Sequence, residues 1–308
     1  MKKVALIVIA LLLLVSSGLA QKGGGGKPKP PPPPADPAIA FTQGGDLWVM
    51  NADGSNQTKV YDDPSNCMNR LSWSPDGQSI AFNRFCFPGP WELWRINVTV
   101  SGGVVQASPP MQLDQGDCGA CIDPQWSPAG SEIAVGGGSS LPGLFVIPAG
   151  GGAAQVLYTP PAPGEIYWSA WSPDGSQIAF LEAGVGIQIL DRNTGMVTPI
   201  PLDKSFDEIR EMDWSREGST LAISADEVIQ GQFLDVDIYT VDVATGSSSL
   251  LIDNGDNPSW SPDDAKLVFS NGGRVGSGGV RIINLETGVV TKLASGASPD
   301  WRRCQPCP

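Results

Sequence analysis

The residues able to do chemistry in this 308-residue chain are six cysteines and 32 aspartates and glutamates, with no histidine beside them. Without an imidazole there is no Ser-His-Asp or Cys-His nucleophile system and no histidine ligand for a metal. No Gly-X-Ser-X-Gly elbow follows a strand-like segment. Two carboxylates can cleave a glycoside by flanking its bond, so that chemistry stays open. The cysteines stand as Cys67, Cys86 and two Cys-X-X-Cys pairs, Cys118/Cys121 and Cys304/Cys307. A redox-active pair of this kind belongs with a βαβ segment, which neither has. Six cysteines in an exported chain imply three disulfides.

The elements that must hold these groups repeat. Leu71-Ser72-Trp73-Ser74-Pro75-Asp76-Gly77 is followed by Trp126-Ser127-Pro128-Ala129-Gly130 and Trp171-Ser172-Pro173-Asp174-Gly175. Trp214-Ser215-Arg216-Glu217-Gly218 and Trp260-Ser261-Pro262-Asp263-Asp264 complete the series. Seven residues after each tryptophan stands Ile80, Ile133, Ile178, Leu221 or Leu267; nine after it stands Phe82, Val135, Phe180, Ile223 or Phe269. Counting the lone Trp301, the tryptophans are 53, 45, 43, 46 and 41 residues apart. Such a period is one multi-strand unit packed against like neighbours. In each unit strand A ends at the tryptophan, and a turn follows in which proline presets φ and glycine accepts φ > 0. An alternating strand B comes next, then an apolar strand C such as residues 46–50 or 237–241. A second turn such as Asn193-Thr194-Gly195 leads into strand D. Four short antiparallel strands per unit predict an all-β fold, a β-propeller.

The two ends set the blade count. Residues 38–61 carry strands B, C and D with no tryptophan strand before them, and residues 298–303 carry only the tryptophan strand. Together they make one blade, which with the five complete units gives six. The ring is expected to close by the C-terminal strand pairing with the N-terminal blade, which removes the exposed edges.

Trp-Ser-Pro-Asp-Gly followed by an Ile-Ala-Phe strand, five copies in register, resembles the TolB-type propeller repeat. That repeat also occurs in the propeller domains of prolyl-oligopeptidase-like enzymes. The resemblance covers residues 38–303 and implies the six-bladed fold, with an envelope lipoprotein as a family-level partner. TolB carries an N-terminal α/β domain before its propeller; here a glycine- and proline-rich segment stands in that place. In the enzymes the propeller gates access to an attached hydrolase domain, for which this chain leaves no room.

Propeller topology makes the cysteines readable. Trp73 opposite Ile80 places Cys67 opposite Cys86 across strands A and B, close enough for a disulfide. The two Cys-X-X-Cys pairs lie toward opposite faces, too far apart for one zinc tetrahedron. Local disulfides Cys118–Cys121 and Cys304–Cys307 are therefore expected, and no metal.

Chain direction sorts the loops as well. The A–B and C–D turns fall on one face and are stereotyped; the B–C and D–A connections fall on the other and vary. Binding residues concentrate on irregular loops held by a rigid scaffold, so a partner site is expected there, near the channel mouth. Tyr61 and Asp63 follow the first strand D, and Phe87 and Trp91 flank the insertion at Cys86. Asp114 precedes the first Cys-X-X-Cys, and Tyr158 and Tyr167 bracket the next D–A connection. Phe206, Asp207 and Arg210 occupy a third such connection, segment 202–210, and Arg274 the last B–C loop. Aromatics beside charges resemble interface anchors. The recurring tryptophans and the turn carboxylates Asp76, Asp174 and Asp263 read as structural.

Residues 1–20 read as a signal peptide: Lys2 and Lys3, an apolar run, then Gly18-Leu19-Ala20 as cleavage site. The run is short for a membrane span. Residues 21–37 form a Gly/Pro-rich linker and 38–308 the propeller. The chain is thus expected in a bacterial periplasm or outside the cell, not membrane-spanning after cleavage. A net charge of −13 argues against nucleic acid, whose phosphates need clustered Lys and Arg. The expected function is non-catalytic: binding or scaffolding of an envelope protein or glycan through the loop face, without a cofactor. The alternative is a carbohydrate-active hydrolase or lyase using paired Asp or Glu near the channel mouth.

Overall fold

The computed structural model describes residues 38–303 apart from 102, 114–117, 139, 162–163, 228–235 and 272–277. The expected signal peptide and linker, and the Cys304–Cys307 pair, lie outside the described residues. Among the described residues the strands form six antiparallel sheets, one per blade of a propeller. The innermost strands, in ring order, are Ala297–Trp301 of blade 1, Met68–Trp73 of blade 2 and Ile122–Trp126 of blade 3. Ile166–Trp171 of blade 4, Phe206–Trp214 of blade 5 and Asp256–Trp260 of blade 6 complete the circle. Each touches the next and the last touches the first, so the ring is closed. Closure is made in blade 1, where Ile39–Gln43 pairs with Ala297–Trp301 and Ile39 lies opposite Trp301.

The core sits between blades rather than at the centre. Among the described residues, six buried apolar clusters each join two neighbouring blades. In one of them Trp73, Ile80 and Phe82 of blade 2 pack against Leu47 and Val49 of blade 1. The tryptophans at the ends of all six inner strands are buried. This recurrence follows from geometry, because the wedge between two twisted sheets widens outward and needs a large ring to fill it. Polar atoms tie the same seam. The residue before one tryptophan accepts the backbone N–H of the next blade's tryptophan. Ser72 does so for Trp126 (3.1 Å), Asp213 for Trp260 (2.8 Å), Ser259 for Trp301 (3.0 Å) and Asp300 for Trp73 (2.6 Å).

The A–B turns are nearly identical. Ser74 donates its hydroxyl to Asp76 at 2.5 Å, Ser172 to Asp174 and Ser261 to Asp263 at 2.6 Å. The same carboxylates accept a backbone N–H within their own turns, from Gln78, Ser176 and Ala265. Gly77 holds φ at 66°, which a side chain would strain.

Three expectations are corrected. The register Trp73–Ile80 holds, but a bulge at Arg70 shifts the pairing by one, so Met68 meets Arg84 and Cys67 lies beside Phe85. The Cys67–Cys86 disulfide is present across that offset, with Cα atoms 5.2 Å apart. Cys118 and Cys121 are paired as well. Second, strand D of blade 2 is split: the 11-residue strand Trp91–Ser101 pairs first with Val104–Ala107 and, further along, with Met111–Gln112. Pro109 and Pro110 fall at the break, where neither has an N–H to offer. Third, residues 206–210, expected in an irregular loop, extend the inner strand of blade 5. No helix of the described residues is long and apolar enough to cross a membrane.

Candidate functional site

Every inner strand is irregular at the same place. The pairing between strands A and B shifts near the third residue before each tryptophan, at Arg70, Asp123, Trp168, Glu211, Asn257 and Ser298. Five of these six hold positive φ, between 46° at Trp168 and 57° at Asp123. Such backbone costs about 1–3 kcal/mol at a residue other than glycine and persists only where the surroundings enforce it. A bulge re-aims its side chain, and here it does so around the channel.

Arg70 of blade 2 crosses to blade 5, opposite it in the ring, and forms an ion pair with Glu211. Its guanidinium lies over the ring of Trp168 from blade 4, 4.1 Å from the centroid. Burial pulls the Arg70 pKa down, and the charges of Asp123 and Asp256 oppose that. Burial pushes Asp123 up to about 6, against the charge of Arg70 and a 3.1 Å hydrogen bond from the Ser169 N–H. This Arg–Glu–Trp plug leaves beneath it a pocket of only ≈ 30 Å³, lined by Asp123, Asp213 and Asp300 among others. Burial pushes Asp300 up to about 6 as well.

Two larger cavities open on the loop face. One of ≈ 490 Å³ sits at the channel mouth, its lining including Arg70, Asn69 and Asn257 of the inner strands and Trp91. The other, ≈ 800 Å³, lies off the axis between blades 4 and 5. Tyr167, Trp168, Leu181, Leu202 and Phe206 line it, with Lys204, Asp207 and Glu208 among its polar groups. Trp168 therefore belongs to both the plug and the off-axis cavity.

The sequence-expected residues divide. Tyr167, Phe206 and Asp207 share the off-axis cavity. Phe206 is set by a T-shaped contact with Tyr239, centroids 4.9 Å apart. Arg210 stands beside it, paired to Glu208 at 2.6 Å and Asp226 at 3.6 Å. Burial raises the Asp226 pKa; Arg210 opposes this, and the like charges of Glu208, Asp207 and Asp256 add to it. Trp91 lines the mouth cavity and stacks on Phe85 at 4.6 Å. Phe87, 86 % exposed, touches Phe85 edge-on. Three others serve the scaffold. Asp63 is buried, accepting the Cys67 N–H at 2.9 Å and Arg84 at 3.1 Å. Tyr61 packs on Phe82, and Tyr158 packs on Phe180 while donating to Glu182 at 3.0 Å. Asp114 and Arg274 lie outside the described residues.

Sequence reasoning missed Arg70, Asp123, Trp168, Glu211 and Asn257. A signal existed: each stands three residues before its tryptophan, at a repeat position where the residue type changes from blade to blade. A position fixed in register yet free in chemistry marks a lining rather than a filler.

The model of the TolB beta propeller domain matches residues 42–301. No curated protein matches the chain in sequence. Among solved structures it resembles TolB from Acinetobacter baumannii, with 19 % identity and TM-score 0.66 over 87 % of this chain and 68 % of that one. A putative TolB from Agrobacterium tumefaciens aligns with 20 % identity and TM-score 0.65 over 86 % of this chain and 92 % of that one. A chain of the nidogen/laminin complex aligns with 11 % identity and TM-score 0.66, over 86 % and 98 %.

Proposed function

Because the chain belongs to the TolB beta-propeller domain family, we propose that it is a non-catalytic binding or scaffold protein of the bacterial envelope. Its loop face takes a protein or glycan of the periplasm or cell surface. The observation that carries this reading is the off-axis cavity of ≈ 800 Å³ on that face. It brings Tyr167, Trp168 and Phe206 together with Asp207 and Glu208 on a scaffold whose opposite turns are uniform. Half-buried aromatics beside charges are what a protein interface uses as anchors. The test is affinity capture from envelope extract on immobilised residues 21–308, followed by titration of the purified captured protein. Tyr167→Ala/Phe206→Ala should weaken that titration at least about tenfold, a loss of about 1.4 kcal/mol. Unchanged affinity refutes the site.

One observation favours the alternative of a carbohydrate-active hydrolase or lyase: the raised Asp226 carboxyl beside Glu208, Asp207 and Asp256. A carboxyl raised by burial with a second carboxyl close by is the kind of pair that acid–base glycoside cleavage uses. Release of reducing ends from envelope polysaccharide, abolished by Asp226→Asn, would establish it; no release removes it.

A further inference from the structure

We propose that the channel-mouth cavity is a binding site for one end of a neutral saccharide, with Trp91 as its stacking platform. The proposal rests on the binding-module reading and names the ligand class of one cavity on that face.

The lining differs in kind from that of the off-axis cavity. Five asparagines face it, Asn66, Asn69, Asn254, Asn257 and Asn271, with the hydroxyls of Thr42, Ser270 and Ser298. An amide donates and accepts at once, and so does a sugar hydroxyl, so the two match without any charge. Most of these amides are unspent. Among the described residues, Asn66, Asn254 and Asn271 have no side-chain hydrogen-bond partner, and Oδ1 of Asn69 is buried without one. A buried polar atom left unpaired costs about 1–3 kcal/mol, which a ligand hydroxyl would recover. Asn257 is instead set in place, its Oδ1 accepting from Ser270 at 2.9 Å. Asp256 supplies one carboxylate for a pair of vicinal hydroxyls.

Glycine lets the wall come close. A Cβ at Gly296 would stand 2.4 Å from the Thr42 carbonyl oxygen, and one at Gly45 2.5 Å from Asn66 Cα. Trp91 is held rigidly for stacking: Phe85 covers one face at 4.6 Å, and Phe85 adjoins Cys86 of the Cys67–Cys86 disulfide. The opposite indole face is left for the apolar C–H face of a pyranose, which the negative π surface attracts. The volume of ≈ 490 Å³ falls within the roughly 300–1,000 Å³ of small-ligand sites.

The chemistry is unsuited to other classes. Among the described residues the one lining cation is Arg70, and it is already engaged by Glu211 and Trp168 rather than offered to a phosphate or carboxylate. An extended peptide would use amides too, but it needs a free sheet edge or side-chain pockets. The apolar side chains here besides Trp91 are Met68, Val236 and Ala297, and Met68 is part of the seam between blades 1 and 2.

The test is saturation-transfer NMR on the full chain with the methyl glycosides of glucose, galactose, mannose and N-acetylglucosamine. Acetyl-tetraalanine amide serves as the peptide probe. At least one glycoside should bind, with a Kd on the order of 1 mM and strongest transfer to its ring C–H protons. Trp91→Ala should weaken it about tenfold or more, Trp91→Phe far less, and Tyr167→Ala/Phe206→Ala not at all. Asn271→Ala, at a side chain with no hydrogen-bond partner among the described residues, carries the same expectation of weakening if Trp91→Ala fails to fold. No binding of any glycoside overturns the proposal, as does binding that survives both substitutions or is lost with the off-axis pair. Saturation of the tetrapeptide alone overturns it in favour of a peptide site. A captured protein that still depends on Tyr167 and Phe206 would then leave the binding-module reading standing, whereas loss of both interactions removes both.

Discussion

The two ends of the same inner strand obey different rules. At the tryptophan end the chemistry repeats: a buried ring, a residue before it that ties the next blade in four of six seams, and a serine–carboxylate turn. Three residues earlier the backbone repeats and the side chains do not: Arg70, Asp123, Trp168, Glu211, Asn257 and Ser298. One end of each strand is therefore selected by packing against its neighbour, which is the same problem in every blade. The other end looks into a space that belongs to no blade, where only the sum of the six side chains matters.

The severest way to break the comparison is to remove one tryptophan end altogether. Deleting residues 298–308 takes away Trp301, its bond to Ser259 and the strand that closes blade 1. It leaves the edge of Ile39–Gln43 and the seam with blade 6 exposed. Loss of a buried tryptophan alone costs about 3–5 kcal/mol, so the truncated chain should lose its cooperative thermal transition in circular dichroism. An unchanged Tm would mean that the ring does not depend on its closure.

The mouth end should behave as a network rather than as a row of equals. Arg70→Met strips Glu211 of its partner and should cost about 3–5 kcal/mol by urea unfolding, because a carboxylate stays buried and unpaired. Adding Glu211→Leu should restore most of that loss, since a well-packed apolar pair replaces a buried ionic one at little net cost. If the double variant is as unstable as the single one, the plug acts through the Arg70–Trp168 contact instead.

How much of this was legible follows the same division. The tryptophan spacing and turn chemistry are local and repeat, so blade number, strand order and ring closure could be read from residue types. The bulges could not, because nothing in Asn69-Arg70-Leu71 announces a shifted register; it comes from fitting six strand ends around one axis. That shift displaced Cys67 by one residue from its expected partner position and turned residues toward the channel that a regular strand would not have aimed there. Tyr167 was read as a surface loop residue, whereas its neighbour Trp168 does the bridging. Asp63 and Tyr158 look like loop-face anchors in sequence, because their partners Arg84 and Glu182 lie some 20 residues away.

Asp123 sharpens the comparison through pH. Its carboxyl is raised by burial to about 6 from an ordinary 3.8, so the folded state holds a proton that the unfolded chain releases earlier. The stability this gives is full below about pH 4 and is lost as pH rises through about 6. Subtracting Asp123→Asn, which cannot titrate, isolates the effect from the lowered turn carboxylates such as Asp174, which act in the opposite direction. The stability of wild type relative to the variant should fall by on the order of 2 kcal/mol between pH 4 and pH 7. A difference that stays constant across that range would show that Asp123 is charged throughout and that Arg70 outweighs its burial.

The smallest effect tests the repetition itself. Ser74→Ala, Ser172→Ala and Ser261→Ala each remove the hydroxyl that donates to the turn carboxylate and accepts an N–H from the start of strand B. Each should cost about 1 kcal/mol, and the three costs should agree to within about 0.5 kcal/mol, because the turns stand in different blades and share no partner. Alanine at Arg70, Asn257 or Ser298 should scatter widely, since each meets different neighbours at the mouth. Equal costs at the turns with unequal costs three residues before the tryptophans would separate scaffold from lining by measurement. Equal costs in both sets would mean that the mouth residues are held by the same packing as the turns and have no chemistry of their own.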